Sequence, residues 1–208
     1  QTELIYNKLI KLKGKEKVKK ISFPNYKSKA SEPIKMYLTG DFGNNADDIN
    51  AYAASVLYSV DRFASFKMEW EEFYNDKGII ISDRYTTSNM IHQASKIENN
   101  IEREEYLKWL IDLEWNKISI PKPDVVFFLD VPPDISQILM KNRNNKITGE
   151  VTKDIHEKDI QYLKKSYDIA KYLAKKYQWY VIDCIKDYKL KSIEDINIEI
   201  MSKIEKIL

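Results

Sequence analysis

Two short apolar runs limit the folds that this sequence can adopt. They occupy residues 79–81 and 125–129, and each ends abruptly in polar residues. Apolar runs without alternation are typical of strands that are covered on both faces, which occur mainly in parallel sheets. Helix-like stretches separate the strand-like ones, among them 46–75 and 160–177. Because alternating strands and helices are typical of α/β proteins, we predict a parallel sheet flanked by helices.

Charge and composition exclude several classes of protein. The 208 residues include 34 Lys and Arg against 32 Asp and Glu, a balance that gives no general attraction to nucleic acid or to a membrane surface. There is no apolar run of about 18 residues, so we expect no transmembrane helix. A single cysteine, Cys184, excludes a disulfide framework within the chain. We expect one domain over residues 1–208 and a cytoplasmic location.

The residues that directly follow the strands are the first candidates for chemistry, because ligands bind beyond the carboxyl ends of parallel strands. Asp83, Arg84 and Tyr85 follow the first apolar run. Arg84 is suited to grip a phosphate with two hydrogen bonds, and Asp83 is suited to order a metal-bound water. The alternative is an ion pair that closes the strand end.

Three further segments are weaker candidates. Tyr58 and Arg62 are four residues apart and share a helix face. Either the two side chains bind a base together, or Tyr58 is a core residue and Arg62 a surface residue. Residues 23–27 (FPNYK) form either a phosphate-binding turn or an ordinary loop. The polar stretch at about 141–153, which contains Arg143, is either a lid over phosphates or a solvated loop.

The scarcity of arginine gives weight to these candidates. Arginine occurs only at positions 62, 84, 103 and 143, and the other 30 basic residues are lysine. Arginine offers a rigid two-pronged donor that lysine lacks. The five glycines form no G-x-x-x-x-G-K-[ST] phosphate loop within the printed sequence.

In this order and spacing, the motifs resemble those of the thymidylate kinase family along almost the whole chain. The matching pieces are F-P-N-Y at 23–26, Tyr58 to Arg62, D-R-Y at 83–85 followed by Ser88-Asn89, K-P-D at 122–124, and D-x-x-E at 154–157. One departure is Asn25, which stands where the family often has an arginine.

The resemblance implies a three-layer α/β/α fold of the P-loop kinase type and transfer of the γ-phosphoryl group of ATP to dTMP. It also implies Mg²⁺, small nucleotides as the binding partners, and a homodimer packed through helices. The helix at 46–75 is a candidate for that interface, and the alternative is that this helix lies mostly in the core. Gln1 resembles the start of the family's first helix. We therefore expect the first strand and the P-loop to lie outside the printed sequence.

The resemblance also assigns roles to the acceptor side of the site. Tyr58 is expected to stack on thymine, with Arg62 and Asn89 at the base edge and His92 near the sugar. Arg84 is expected to bind the acceptor phosphate.

The remaining roles concern the loop, the metal and the lid. Phe23 and Tyr26 of the F-P-N-Y loop are expected to line the substrate site. Asp83 is expected to organise Mg²⁺ through water. Arg143 is expected to reach the transferred phosphoryl group, and His156 to lie near the nucleotide.

Two alternatives remain open at this point. The first is a related kinase that acts on another pyrimidine nucleotide or on a deoxynucleoside. The second is a non-catalytic homologue that binds nucleotides and lacks a P-loop.

Overall fold

Parallel strand pairs organise the fold, as seen in a computed structural model that describes residues 1–140 and 159–208. Strand β1 (Val18–Ser22) pairs with β2 (Ile79–Asp83), and β3 (Phe127–Asp130) pairs with β4 (Tyr180–Asp183). Two short strands, β5 (Ile185–Lys186) and β6 (Lys189–Leu190), form an antiparallel hairpin. The predicted α/β class with parallel strands is confirmed.

Helices connect and cover these strands. In chain order within the described ranges they are α1 (Thr2–Lys13), α2 (Glu32–Thr39), α3 (Ala51–Ser65), α4 (Glu71–Asn75), α5 (Thr86–His92), α6 (Asn100–Ile111), α7 (Pro133–Met140), α8 (Ile160–Lys176) and α9 (Ile193–Ile204). In the same two ranges, none of them has the length and apolar character needed to cross a membrane.

The long helix predicted at 46–75 is divided into segments. It begins at Ala51, because the Asn50 side chain accepts a hydrogen bond from Ala53 N–H and caps the first turn. A π-helical turn (Phe66–Trp70) separates α3 from α4, and a second π-helical turn (Asp112–Lys117) follows α6. Such turns are rare and often occur at functional sites.

Helix α8 shows how the sequence pattern produces the core. Its apolar residues recur at helical spacing, and the face that bears Ile169 and Leu173 is buried against Met90 of α5 and Leu107 of α6. This packing fixes α5 relative to the rest of the fold. Helix α5 carries two of the predicted substrate-binding residues.

Strands β2 and β3 are less covered than their apolar sequences predict. The residues of β2 are all partly exposed, and Leu129 in β3 is 37% exposed. A cleft of about 690 Å³ lies between the two strand pairs and is lined by residues of β2, β3, α1 and α9. The family resemblance expects a further, central strand, and that expectation stays a prediction.

Candidate functional site

Two of the predicted motifs meet at the carboxyl ends of β1 and β2. Ser22 is paired in register with Asp83, and Phe23 N–H donates a hydrogen bond to the carbonyl oxygen of Asp83 at 3.0 Å. The Phe23 side chain is buried and packs against the Tyr85 ring, with 5.8 Å between ring centroids. The F-P-N-Y loop and the D-R-Y motif are neighbours because the parallel strands before them are neighbours.

Arg84 has an unusual backbone conformation at this junction. Its φ is 63°, in the left-handed region that non-glycine residues seldom adopt. The exposed side chain places Nη1 3.1 Å from Nε2 of His92. Because the guanidinium is a donor only, Nε2 accepts, and His92 carries its hydrogen on Nδ1 in this contact.

Asp83 points to a different partner. Its Oδ2 accepts a hydrogen bond from Ser22 Oγ at 3.4 Å. Arg84 and Asp83, both described, form no ion pair with each other. The carboxylate and the guanidinium therefore act as separate groups.

The F-P-N-Y loop is fastened to α3 and to the π-helical turn that follows it. Asn25 N–H donates to Oδ2 of Asp61 at 2.9 Å, and its side-chain amide donates to Oε1 of Glu69 at 2.8 Å. Asp61 is 1% exposed, and burial raises the pKa of its carboxyl above the usual value, against the lowering effect of the Asn25 hydrogen bond. Asn25 thus positions the loop by contacts within the protein.

Aromatic side chains pack next to the loop. Tyr26 and Tyr58 are partly buried and pack against one apolar cluster that includes Ile34. The Tyr162 ring of α8 stacks beside His92 at 6.1 Å between centroids, and its hydroxyl donates to the His92 carbonyl at 3.0 Å. Burial raises the pKa of Tyr162 well above its usual value, so this hydroxyl stays protonated. The sequence analysis missed Tyr162, which no motif marks.

Arg62 is buried, so the alternative of a surface arginine is wrong. It is 1% exposed, and its Nε and Nη2 donate to the Glu114 carboxylate at 3.1 and 2.5 Å. Asn89 Nδ2 donates to the same carboxylate at 3.1 Å. The sequence analysis also missed Glu114, an acid between Leu113 and Trp115.

Helix α5 joins these groups into one site. Asn89 and His92 are three residues apart on α5 and share a face. Asn89 donates a hydrogen bond to Glu114 of the Arg62–Glu114 pair, and His92 forms a hydrogen bond with Arg84. Arg143 and His156 lie outside the described residues, so their positions stay predictions.

The fold and these residues together define a class of protein. Parallel strands end in an exposed arginine, with partly buried tyrosines and buried polar groups close by. A guanidinium suits an anion such as phosphate, and rings with fixed polar groups suit a base. The arrangement is that of an α/β nucleotide-binding protein.

Comparison with known proteins identifies the family. Residues 1–193 match the family model described as thymidylate kinase. The chain is 28% identical over 196 residues to a thymidylate kinase of Plasmodium falciparum, a match that covers 91% of this chain and 76% of that protein. It is also 28% identical over 135 residues to a probable thymidylate kinase of Saccharolobus solfataricus, covering 64% of this chain and 59% of that protein.

Solved structures agree on the fold. The chain resembles thymidylate kinase from Candida albicans with a TM-score of 0.66 at 18% identity, covering 99% of this chain and 86% of that one. For the Ehrlichia chaffeensis enzyme the TM-score is 0.62 at 15% identity, covering 98% and 89%. Because the family model spans most of the sequence, this chain belongs to the thymidylate kinase family.

Proposed function

We propose that this protein transfers the γ-phosphoryl group of ATP to dTMP and so produces dTDP. The observation that carries the proposal is Arg84 at the end of β2, held in a left-handed conformation beside His92 and next to the F-P-N-Y loop. Backbone strain is tolerated where the surrounding structure fixes it, and such residues cluster at ligand sites. Family membership supplies the reaction type.

Arg84 binds the acceptor phosphate in this proposal. It stands at the carboxyl end of a parallel strand, where such folds bind ligands. Its Nη2 has no hydrogen bond within the described ranges and offers two donors. Tyr26 and Phe23 flank the phosphate from the neighbouring loop, and His92 lies toward the sugar.

Tyr58 stacks on the base in the same proposal. Its ring is partly buried against the cluster that also holds Tyr26, so stacking on a base would cost little additional side-chain entropy. Arg62 and Asn89 read the base edge. They lie on α3 and α5, which pack against each other, and both are almost fully buried.

On the donor side of the reaction, the proposal relies on the lid and on the P-loop that is expected outside the printed sequence. We place Arg143 at the transferred phosphoryl group and His156 near the nucleotide, as the family resemblance implies. A transferred phosphoryl group carries spread-out charge in its transition state, so positioning and electrostatic neutralisation supply most of the catalysis. A closed lid also excludes water, which prevents hydrolysis of ATP.

Asp83 is the residue that fits a magnesium ion. Mg²⁺ keeps several waters and takes one or two carboxylates together with substrate phosphates. The Asp83 carboxylate, beside Ser22 Oγ, meets that need without a larger cage. No cluster of three or more metal-ligating side chains occurs in ranges 1–140 and 159–208. Asp83 would hold one water of a bound Mg²⁺, and the ion would supply positive charge to offset that of the phosphates.

The direct test is an assay of the full-length native protein with ATP, Mg²⁺ and a panel of acceptors: dTMP, dUMP, dCMP and thymidine. We expect the highest kcat/KM with dTMP. Preference for another nucleotide or for thymidine would support the related-kinase alternative. Tight dTMP binding by calorimetry with no turnover would support the non-catalytic alternative.

We also propose that the protein forms a homodimer through α3. Four apolar side chains recur at helical spacing on its outer face and are between 41% and 50% exposed: Tyr52, Val56, Val60 and Phe63. We call this set the α3 stripe. A contiguous exposed apolar face is uncommon on monomers and marks interfaces. In a twofold interface the same stripe would pack against its own copy.

Val60→Glu should convert the dimer to a monomer, because two like charges would then face each other across the twofold axis. Size-exclusion chromatography with light scattering measures the mass directly. The matched control is Ile198→Glu, which changes an apolar residue on α9 that is 61% exposed, against 50% for Val60, and should leave the dimer intact. A wild-type protein that stays monomeric at high concentration would contradict the dimer.

The proposal also covers the domain organisation, the location and the binding partners of the protein. Residues 1–208 act as one kinase domain in which the segment at about 141–153 serves as the lid. The protein works in the cytoplasm, where ATP and dTMP are available, and its partners are these nucleotides rather than nucleic acid or membrane.

A further inference from the structure

The Glu114 carboxylate is the centre of a buried hydrogen-bond network. Glu114 is 1% exposed. Its Oε1 accepts from Ser59 Oγ at 2.9 Å, from Arg62 Nη2 at 2.5 Å and from Asn89 Nδ2 at 3.1 Å, while Oε2 accepts from Arg62 Nε at 3.1 Å. The donors come from α3 and α5. One side chain therefore joins both helices that carry the proposed base-reading groups.

The local backbone explains how Glu114 reaches this position. It lies in the π-helical turn Asp112–Lys117, which continues α6. A π turn shifts the register of the side chains relative to a regular α-helix, and such turns are often found at functional sites. A buried carboxylate is stable only when it is paired and hydrogen-bonded, so the four contacts hold it in one orientation.

This orientation determines which atoms of Arg62 and Asn89 remain available. Arg62 uses Nε and Nη2 on Glu114, and its Nη1 makes no hydrogen bond within residues 1–140 and 159–208. Asn89 donates from Nδ2 to Glu114 and also to the Ser55 carbonyl at 3.2 Å. A carboxylate only accepts, so Asn89 must turn its NH₂ group toward Glu114. Its Oδ1 is then left as an acceptor.

We propose that Glu114 is a positioning residue that sets the base preference of the site. By fixing Arg62 and Asn89, it keeps one donor (Nη1) and one acceptor (Oδ1) for the base edge. Thymine and uracil match this pair because they offer the O4 acceptor and the N3–H donor. Cytosine offers a donor at N4 and an acceptor at N3. Its donor would face the Nη1 donor and its acceptor would face the Oδ1 acceptor, so neither hydrogen bond could form. The proposal rests on the proposed function, in which this site holds a pyrimidine.

Glu114→Gln tests the proposal with little change in shape. The glutamine amide both donates and accepts, so only the Ser55 carbonyl still favours the wild-type orientation of Asn89. The opposite orientation, with the NH₂ group toward the base, is then less strongly excluded. We expect the ratio of kcat/KM for dTMP over dCMP to fall at least about tenfold, because rejection by a mismatched hydrogen bond is lost. The ratio of the two dissociation constants, measured by calorimetry without ATP, should fall in parallel.

Two variants separate positioning from simple structural support. Ser59→Ala removes one of the four hydrogen bonds to Glu114, and the three from Arg62 and Asn89 still hold the acceptor-only carboxylate. The dTMP/dCMP ratio should therefore stay at the wild-type value even if stability drops. Glu105→Gln alters an exposed acid on the same helix and should change neither ratio nor stability. Circular dichroism confirms that each variant is folded.

The outcomes distinguish this proposal from the proposed function. Wild-type preference for dTMP that Glu114→Gln leaves intact would overturn the role of Glu114 while the kinase stands. Wild-type binding of dTMP without turnover would overturn the kinase, and the dissociation constants would still decide the role of Glu114. Equal wild-type affinity for dTMP and dCMP would overturn the proposal for Glu114.

Discussion

Arg84→Gly is expected to lower kcat/KM for dTMP by about 10²–10³-fold, the usual cost of removing a group that neutralises developing charge. At the same time, its free energy of unfolding should stay level or rise by up to about 1 kcal/mol. The φ of Arg84 is 63°, and glycine adopts this left-handed conformation without the steric cost that other residues have. The variant therefore loses function without losing the fold.

Arg84→Lys refines the same prediction. Lysine keeps the positive charge but lacks the planar two-pronged donor, so its kcat/KM should fall between those of Arg84→Gly and the wild type. Steady-state kinetics at saturating ATP give kcat and KM separately, and urea denaturation gives the free energy of unfolding.

Arg103→Ala is the matched control for Arg84→Gly. Arg103 donates to the backbone carbonyls of Ala94 and Ile97 at 3.3 and 3.0 Å, so its role is to brace the connection between α5 and α6. Its loss should reduce stability but leave the kcat/KM of the folded protein near the wild-type value. An Arg84→Gly variant with unreduced kcat/KM would remove the phosphate role of Arg84.

The position of the D-R-Y motif could be predicted from the sequence, because it directly follows an apolar strand and ligands bind beyond the carboxyl ends of parallel strands. The structure pairs β1 with β2, and this pairing places the F-P-N-Y loop directly beside the D-R-Y motif. Phe23 and Asp83 are accordingly joined by a backbone hydrogen bond. Local pattern and a general rule of parallel sheets therefore place the D-R-Y motif, whereas the choice of its neighbouring strand depends on tertiary packing.

Glu114 could not be predicted in the same way. It is 52 residues from Arg62 in the chain, and only the packing of α6 against α3 brings them together. The π-helical turn also breaks the regular helical period, so the face on which Glu114 lies cannot be counted from the start of α6. The available signal was a single acid between Leu113 and Trp115, which suggests a buried charge but does not name its partner.

The exposure of β2 and β3 has a similar origin. An apolar run shows that a strand can be covered on both faces, but it does not show what covers it. Ile79, Ile80 and Ile81 are partly exposed because they line the cleft between the strand pairs. Burial depends on neighbours that are remote in sequence. The apolar runs therefore predicted the two strands correctly, but the prediction that both faces of each strand are covered was wrong.

Arg62→Met should destabilise the unliganded protein by about 3–5 kcal/mol, the cost of breaking a buried ion pair by removing one partner. Both side chains are nearly inaccessible, at 2% and 1% exposure. Methionine fills similar volume, so most of the loss comes from the Glu114 charge that remains buried. Urea denaturation monitored by circular dichroism, in the absence of nucleotide, measures this loss.

The double variant Arg62→Met/Glu114→Leu should recover most of that stability, because it removes the second charge as well. Replacing both members of a buried pair by apolar groups is often neutral or stabilising. The two single variants and the double variant form a cycle whose interaction free energy isolates the pair.

The exposed pair Lys35–Glu32 provides the comparison for this cycle. Its atoms are 2.7 Å apart, but the Glu32 side chain is 59% exposed. Glu32→Gln should therefore cost no more than about 1 kcal/mol. If Arg62→Met cost as little as Glu32→Gln, or if the double variant were as unstable as Arg62→Met, the Arg62–Glu114 pair would not be a charge-coupled unit. A carboxylate that is not coupled to Arg62 could not hold Arg62 and Asn89 in one orientation. The proposal that Glu114 positions the base-binding groups would then lose its physical basis.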